Sequence, residues 1–146
     1  MARTVRRPAD DGLLVVQVWL VTRLLFAIIA VWLAVSGRRS LESVLSQWDV
    51  NHFLRIARDG YADPQQMAFF PGWPLVLRGL ANLGLSPVLV GSAIALACSL
   101  VAAFALRRIA GRWAAIAWLL APTAVFTAVP YTESPFLAAA FWAWER

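Results

Sequence analysis

Lysine is absent from this chain, and all 13 basic residues are arginine. Charge of either sign is scarce, at 14% of 146 residues, where a soluble domain carries about 25%. One cysteine, Cys98, excludes an intrachain disulfide and any metal site built on cysteines. One histidine, His52, gives no support for a histidine metal site either. No internal repeat and no low-complexity segment interrupts the chain. The apolar residues do not alternate and do not fall in 3.6-residue stripes; they come in long blocks. What is abundant is apolar surface: hydrophobic residues make up 61%, and there are eight tryptophans. That composition belongs to an integral membrane protein, with tryptophan suited to the membrane–water boundary. Arginine without lysine, together with abundant alanine, suggests a GC-rich bacterial genome, hence a bacterial plasma membrane.

The net charge of +5 does not point to nucleic acid. Six arginines form two short runs, Arg3, Arg6, Arg7 and Arg107, Arg108, Arg112, which flank apolar blocks and act as topology signals. The blocks predict an all-α, polytopic architecture: full spans over 12–36, 86–106 and 113–129, the last bent or broken near Pro122, and a fourth span from 135, truncated at 146. The fourth block is too short to cross a bilayer, so a fragment of a larger protein is expected. The first block also has the basic start of a signal peptide and the sequence Ala34-Val35-Ser36. It is longer than the usual h-region of about 7–15 residues, Arg23 interrupts it, and further spans follow. Placing residues 1–11 in the cytoplasm puts 107–112 there too, and puts the 37–85 loop and the Pro130–Ser134 turn outside. That loop is expected to carry one or two interfacial helices.

Arg23 sits near the middle of the first block, about 16 Å from either end at helical rise. A charge at that depth costs at least ~2.5–3.5 kcal/mol. Arg23 is therefore expected to face a polar cavity or a carboxylate, too far in to snorkel.

Three polar clusters could carry chemistry. In Trp48-Asp49-Val50-Asn51-His52-Phe53-Leu54-Arg55-Ile56-Ala57, helical spacing puts Asp49, His52 and Ile56 on one face. An acid and an imidazole then lie side by side at the bilayer edge; alternatively Asp49 is a helix cap. In Ala68-Phe69-Phe70-Pro71-Gly72-Trp73-Pro74-Leu75, the aromatics Phe69 and Phe70 precede a proline at a helix start. They form either an aromatic belt or a stacking surface for a sugar or lipid chain. Glu133, between Tyr131 and Pro135, is either a solvated turn acid or a site carboxylate at the membrane boundary.

Taken in order, Trp48-Asp49-x-x-His52-Phe53-Leu54-x-Ile56-Ala57-x-x-Gly60-Tyr61, then Ala68 to Leu75, then Pro130-Tyr131-Thr132-Glu133-Ser134 resemble the PIG-V family. That family holds the second mannosyltransferase of glycosylphosphatidylinositol (GPI) anchor synthesis and its bacterial relatives, within the GT-C superfamily. The resemblance covers residues 48–134, the N-terminal third or so of such a protein. It implies a GT-C-like membrane domain and an inverting mannosyl transfer from polyprenyl- or dolichyl-phosphate mannose at the extracytoplasmic face. It also implies that Asp49 is the general base. His52, Arg55, Phe69, Phe70, Arg78 and Glu133 are carried over as substrate-binding candidates, with Arg55, Arg58 and Arg78 available to stabilise a phosphate leaving group. No cofactor or metal is implied; the lipid-phosphate sugar is a substrate. The partners implied are that donor, an acceptor lipid, glycan or protein, and the bilayer, with room for a membrane-protein partner. The competing reading is a non-catalytic or degenerate membrane fragment that binds lipid or a partner, and the 146-residue chain alone is not expected to turn over.

Overall fold

The computed structural model describes residues 8–146; Arg3, Arg6 and Arg7, and with them the cytoplasmic placement of residues 1–11, lie outside it. Seven α-helices and two 3₁₀ segments make up the described residues, with no strand among them. Helix α1 spans Pro8–Ser36, α2 Leu41–Leu45, α3 Asp49–Asp59, α4 Gly72–Asn82, α5 Pro87–Ala110, α6 Arg112–Leu120 and α7 Glu133–Glu145. The 3₁₀ segments are Pro64–Ala68 and Pro122–Thr127.

Helices α1 and α5 are long and apolar enough to cross a membrane. From Leu24 to Val35 helix α1 is apolar around its whole circumference and leaves most of it uncovered: Leu24 is 61% exposed, Ile28 55% and Trp32 63%. A helix apolar on every side and still exposed needs an apolar solvent, so the bilayer is its natural surrounding. Helix α5 starts where Ser86 caps it, its hydroxyl accepting from the Leu89 N–H, with Pro87 in the first turn. It stops at Gly111, whose φ of 85° suits glycine. Its buried face consists of small residues (Gly91, Ser92, Ala95, Ser99, Ala102, Ala103), which let neighbouring helices approach closely. Helix α7 lies along it with Ser134 and Ala138 buried. Trp19 of α1 donates from its indole to the Ser99 hydroxyl at 2.8 Å.

Among the described residues, α1 and α5 are the two helices of spanning length. The stretch 113–129, expected as a span bent or broken near Pro122, is a nine-residue α-helix, about 14 Å long, followed by the 3₁₀ segment. The break falls at Pro122, which has no N–H to continue the ladder and opens the 3₁₀ segment instead. The second span runs to Ala110 and draws Arg107 and Arg108 into its last turn, where cations favour the helix dipole.

Different polar contacts tie the two ends of the bundle. At one end Arg112 pairs with Asp11, and Arg108 with Glu145 at 2.6 Å. These pairs bring the start of α1, the α5–α6 junction and the end of α7 together. At the other end Glu42 accepts from the Ser86 hydroxyl, and α3, α4 and the 130–134 turn pack around Phe53, Trp73, Leu77, Val129 and Tyr131.

Candidate functional site

The site is built where α3 meets the turn before α7. Residue Trp48 precedes α3 at φ 50° and ψ −121°, a left-handed backbone that a bulky residue adopts only under constraint. Its ring lies 6.2 Å from Phe126. The strained residue is the helix N-cap, Asp49 is the first helical residue, and no side-chain hydrogen bond caps this end. The Asp49 carboxylate is exposed in the first turn of α3. The Asp49 backbone N–H donates to the hydroxyl of Tyr131 at 3.3 Å. Tyr131 is buried, 82 residues away in sequence, and its ring packs against Phe126 and Phe53.

The turn that carries Tyr131 is held from three sides. Trp73 of α4 donates its indole N–H to the Pro130 carbonyl at 2.7 Å. The Ser134 hydroxyl donates to the Thr127 carbonyl at 3.0 Å. Gly91 of α5 lies directly against it: a Cβ there would stand 2.9 Å from Pro130 Cβ and 3.0 Å from Leu77 Cδ2. Gly91→Ala is thus an overpacking change, expected to cost about 1–3 kcal/mol. Gly79→Ala on α4, with nothing near the added methyl, should instead gain about 0.5–1 kcal/mol from helix propensity. Thermal melts of the two purified variants test this; equal melting temperatures would contradict the close approach.

With the turn in place, Asp49 and Glu133 open on one cleft of about 270 Å³, lined also by Trp48, Phe126 and Tyr131. A second cavity, a groove of about 900 Å³, adjoins it and shares Trp48, Phe126 and Tyr131. Its walls are mainly apolar residues of α1, α2 and the 3₁₀ segment at Pro122–Thr127, with Arg23, Arg39 and Gln47 among them.

The two carboxylates sit in different surroundings. Glu133 is half-buried and its Oε2 has no hydrogen-bond partner. Burial pushes its carboxyl above the ordinary carboxylate range, and the Asp49 charge adds to this against a backbone hydrogen bond that pulls the other way. Burial likewise raises the Tyr131 phenol; the hydrogen bond from the Asp49 backbone pulls it down, and the charges of Asp49 and Glu133 add to the rise. For Glu133 the sign is clear. As pH rises through the ordinary glutamate range, the unfolded chain loses this proton while the folded chain keeps it, so folding loses stability until Glu133 itself ionises. Asp49→Asn removes one neighbouring negative charge and should move the Glu133 midpoint down, though burial keeps it above the ordinary value. Infrared titration of the glutamate carboxyl band checks this. A midpoint that stays put, or rises, would separate the two acids electrostatically.

The other site candidates lie elsewhere. His52 stacks on Phe69 at 5.1 Å and 19°, with its Nδ1 buried and unpartnered. Phe69 meets Phe53 edge-on at 5.2 Å, and its carbonyl accepts from the Tyr61 hydroxyl at 2.7 Å. Phe70 is 81% exposed. Arg55, Arg58 and Arg78 are exposed, and Arg58 pairs with Asp59. None of His52, Arg55, Arg58, Phe69, Phe70 and Arg78 lines the cleft or the groove. Arg23 does face the interior, as its depth required. Its partners are the Ala124 carbonyl and the Thr127 hydroxyl, not a carboxylate. Sequence reading missed Tyr131 and Phe126 as site residues; the one available signal was the Pro-Tyr-Thr-Glu string, which does not say that its tyrosine holds α3.

Comparison with known proteins follows the same residues. The family model described as mannosyltransferase (PIG-V) matches residues 24–145. "GPI mannosyltransferase 2" of Gibberella zeae is 34% identical over 132 residues, covering 82% of this chain and 30% of that protein. The human "GPI alpha-1,6-mannosyltransferase 2" is 33% identical over 116 residues, covering 66% of this chain and 24% of that protein. The mouse protein of the same name is 37% identical over 111 residues, covering 63% and 22%. The chain thus spans less than a third of the length of these curated relatives. No solved structure matches it.

Proposed function

This chain belongs to the mannosyltransferase (PIG-V) family, and on that footing we propose that it forms the acid site of a membrane mannosyltransferase acting from a polyprenyl- or dolichyl-phosphate mannose donor. The observation that carries the reading is the cleft in which Asp49 and Glu133 meet, open beside an apolar groove. A lipid-linked sugar has the matching two-part shape: the isoprenoid chain takes the groove and the mannose takes the cleft. Asp49, exposed and in the first turn of α3, is the general base. It takes the proton of the acceptor hydroxyl; that oxygen bonds to the anomeric carbon, and the bond from this carbon to the phosphate oxygen breaks with inversion. Lipid phosphate leaves. Glu133, the half-buried acid, hydrogen-bonds the sugar and orients it. The acceptor is a lipid, glycan or protein hydroxyl.

The deciding experiment supplies radiolabelled mannose to membranes carrying the full-length gene product, either as polyprenyl-phosphate mannose or as GDP-mannose with lipid-carrier charging blocked. Transfer from the lipid donor alone is expected. Transfer from GDP-mannose alone would overturn the donor assignment, and none from either would favour a non-catalytic membrane subunit.

The reading places the end that carries Asp49 and Glu133 outside the cytoplasm and the end with Arg107, Arg108 and Arg112 inside. A cysteine at exposed Gln65, in a Cys98→Ser background, should react with an impermeant maleimide on intact cells. Labelling only after permeabilisation reverses the topology.

A further inference from the structure

Among the described residues Arg23 is a cation without an anion. It is 8% exposed, near the middle of α1. One Nη donates to the Ala124 carbonyl at 2.9 Å and the other to the Thr127 hydroxyl at 2.7 Å, both neutral acceptors. Its Nε is buried with no partner. The ion pairs among the described residues are Arg58–Asp59, Arg108–Glu145 and Arg112–Asp11, so none reaches Arg23. A buried charge at membrane depth is costly unless something neutralises it.

What adjoins Arg23 is the groove, which it lines with Leu25, Phe26, Ile29, Trp32 and Leu33. These residues suit a hydrocarbon chain, while the guanidinium suits a phosphate, with five N–H donors in a rigid fork. The cation is also tied to the acid site. The Thr127 hydroxyl accepts from Arg23, and the Thr127 carbonyl accepts from Ser134, the neighbour of Glu133. An amphiphile with a single anionic group, its chain along α1 and its head toward Glu133, would fill the groove and supply the missing charge.

We infer that Arg23 binds the phosphate of a single-chain isoprenoid phosphate lying in this groove. The assignment rests on the lipid-donor reading above and deepens it. It places the phosphate on α1, away from the exposed arginines of the outer loop. Such a cation would hold the donor and neutralise the charge that develops on the departing phosphate.

Equilibrium binding of radiolabelled farnesyl phosphate and of farnesol to the purified full-length gene product tests this. The wild type should prefer the phosphate by about 10–100-fold, the range for hydrogen bonds to a charged group. Arg23→Gln should remove most of that preference while leaving farnesol affinity unchanged, which also reports an intact groove. Arg23→Lys should keep part of it. Thr127→Val, which loosens the clamp on the Pro122–Thr127 segment but leaves the charge, should keep nearly all of it. A preference that survives Arg23→Gln overturns the proposal. So does its equal loss in Thr127→Val, which would make Arg23 a structural clamp. Displacement of farnesyl phosphate by equimolar inorganic phosphate would overturn the lipid assignment in favour of a free-anion site. Mannosyl transfer measured in parallel separates the two levels. Transfer with an Arg23-independent phosphate preference removes Arg23 only, whereas Arg23-dependent lipid-phosphate binding without transfer removes the mannosyl reading only.

Discussion

Asp49→Asn in the full-length gene product lowers kcat for mannosyl transfer by at least about 100-fold, the lower end for lost general-base help, with normal expression and unchanged farnesyl phosphate binding. Asparagine keeps the size and most of the hydrogen bonding but has no basic oxygen. Asp49→Glu retains little activity, because one methylene moves the carboxylate by about an ångström and near-attack geometry tolerates little displacement. A capping role predicts otherwise: loss of about 1 kcal/mol on replacement by alanine, and tolerance of asparagine. The structure already weighs against that role, since Trp48 is the N-cap and no side chain caps this end of α3. Labelled mannose transfer by wild type and Asp49→Asn, side by side, decides it; equal rates would end the catalytic assignment.

Trp73→Ala is the largest stability effect expected. Trp73 is buried at 7% exposure in the cluster with Phe53, Leu77, Val129 and Tyr131. Removing the indole leaves a cavity, at about 3–5 kcal/mol for a buried aromatic, and strands the Pro130 carbonyl that the indole N–H now satisfies. Trp73→Phe keeps much of the packing and isolates the second effect, a buried carbonyl without its donor, at about 1–3 kcal/mol. Because Pro130 leads into Tyr131, and Tyr131 accepts from the Asp49 N–H, both changes should also lower kcat. Melting temperature and kcat are measured together. If Trp73→Phe melts and turns over like the wild type, the indole bond does not hold the turn.

Much of the molecule was legible before any coordinates. The apolar blocks at 12–36 and 86–106 located α1 and α5, because a bilayer demands about 20 apolar residues and few other structures use them. Pro122 marked a helix break for a purely local reason, its missing N–H. The depth of Arg23 from either end predicted an inward-facing guanidinium, and it is buried. The order of the Trp-Asp, Phe-Phe-Pro and Pro-Tyr-Thr-Glu segments pointed to the family that the comparisons then established. The count of spans was less legible. Mean hydropathy over 113–129 does not distinguish a membrane-length helix from a short helix followed by a 3₁₀ segment.

What the sequence determined by itself is everything that depends on neighbours along the chain: which blocks are helical, where proline and glycine stop them, which acids lie near a helix start, and that the surroundings are apolar. Tertiary structure alone decided which distant groups meet. That Asp49 and Glu133 share a cleft depends on a tyrosine 82 residues from Asp49, on an indole reaching Pro130, and on a glycine at 91 that leaves room for the turn. The same contacts leave Arg55 and Arg78 outside both cavities and set Arg23 on the wall of the groove. The reason is geometric. Helical periodicity fixes a side chain's direction about its own axis, whereas the partner it faces is chosen by how helices pack, and packing depends on volumes and hydrogen bonds contributed by residues far apart in the chain.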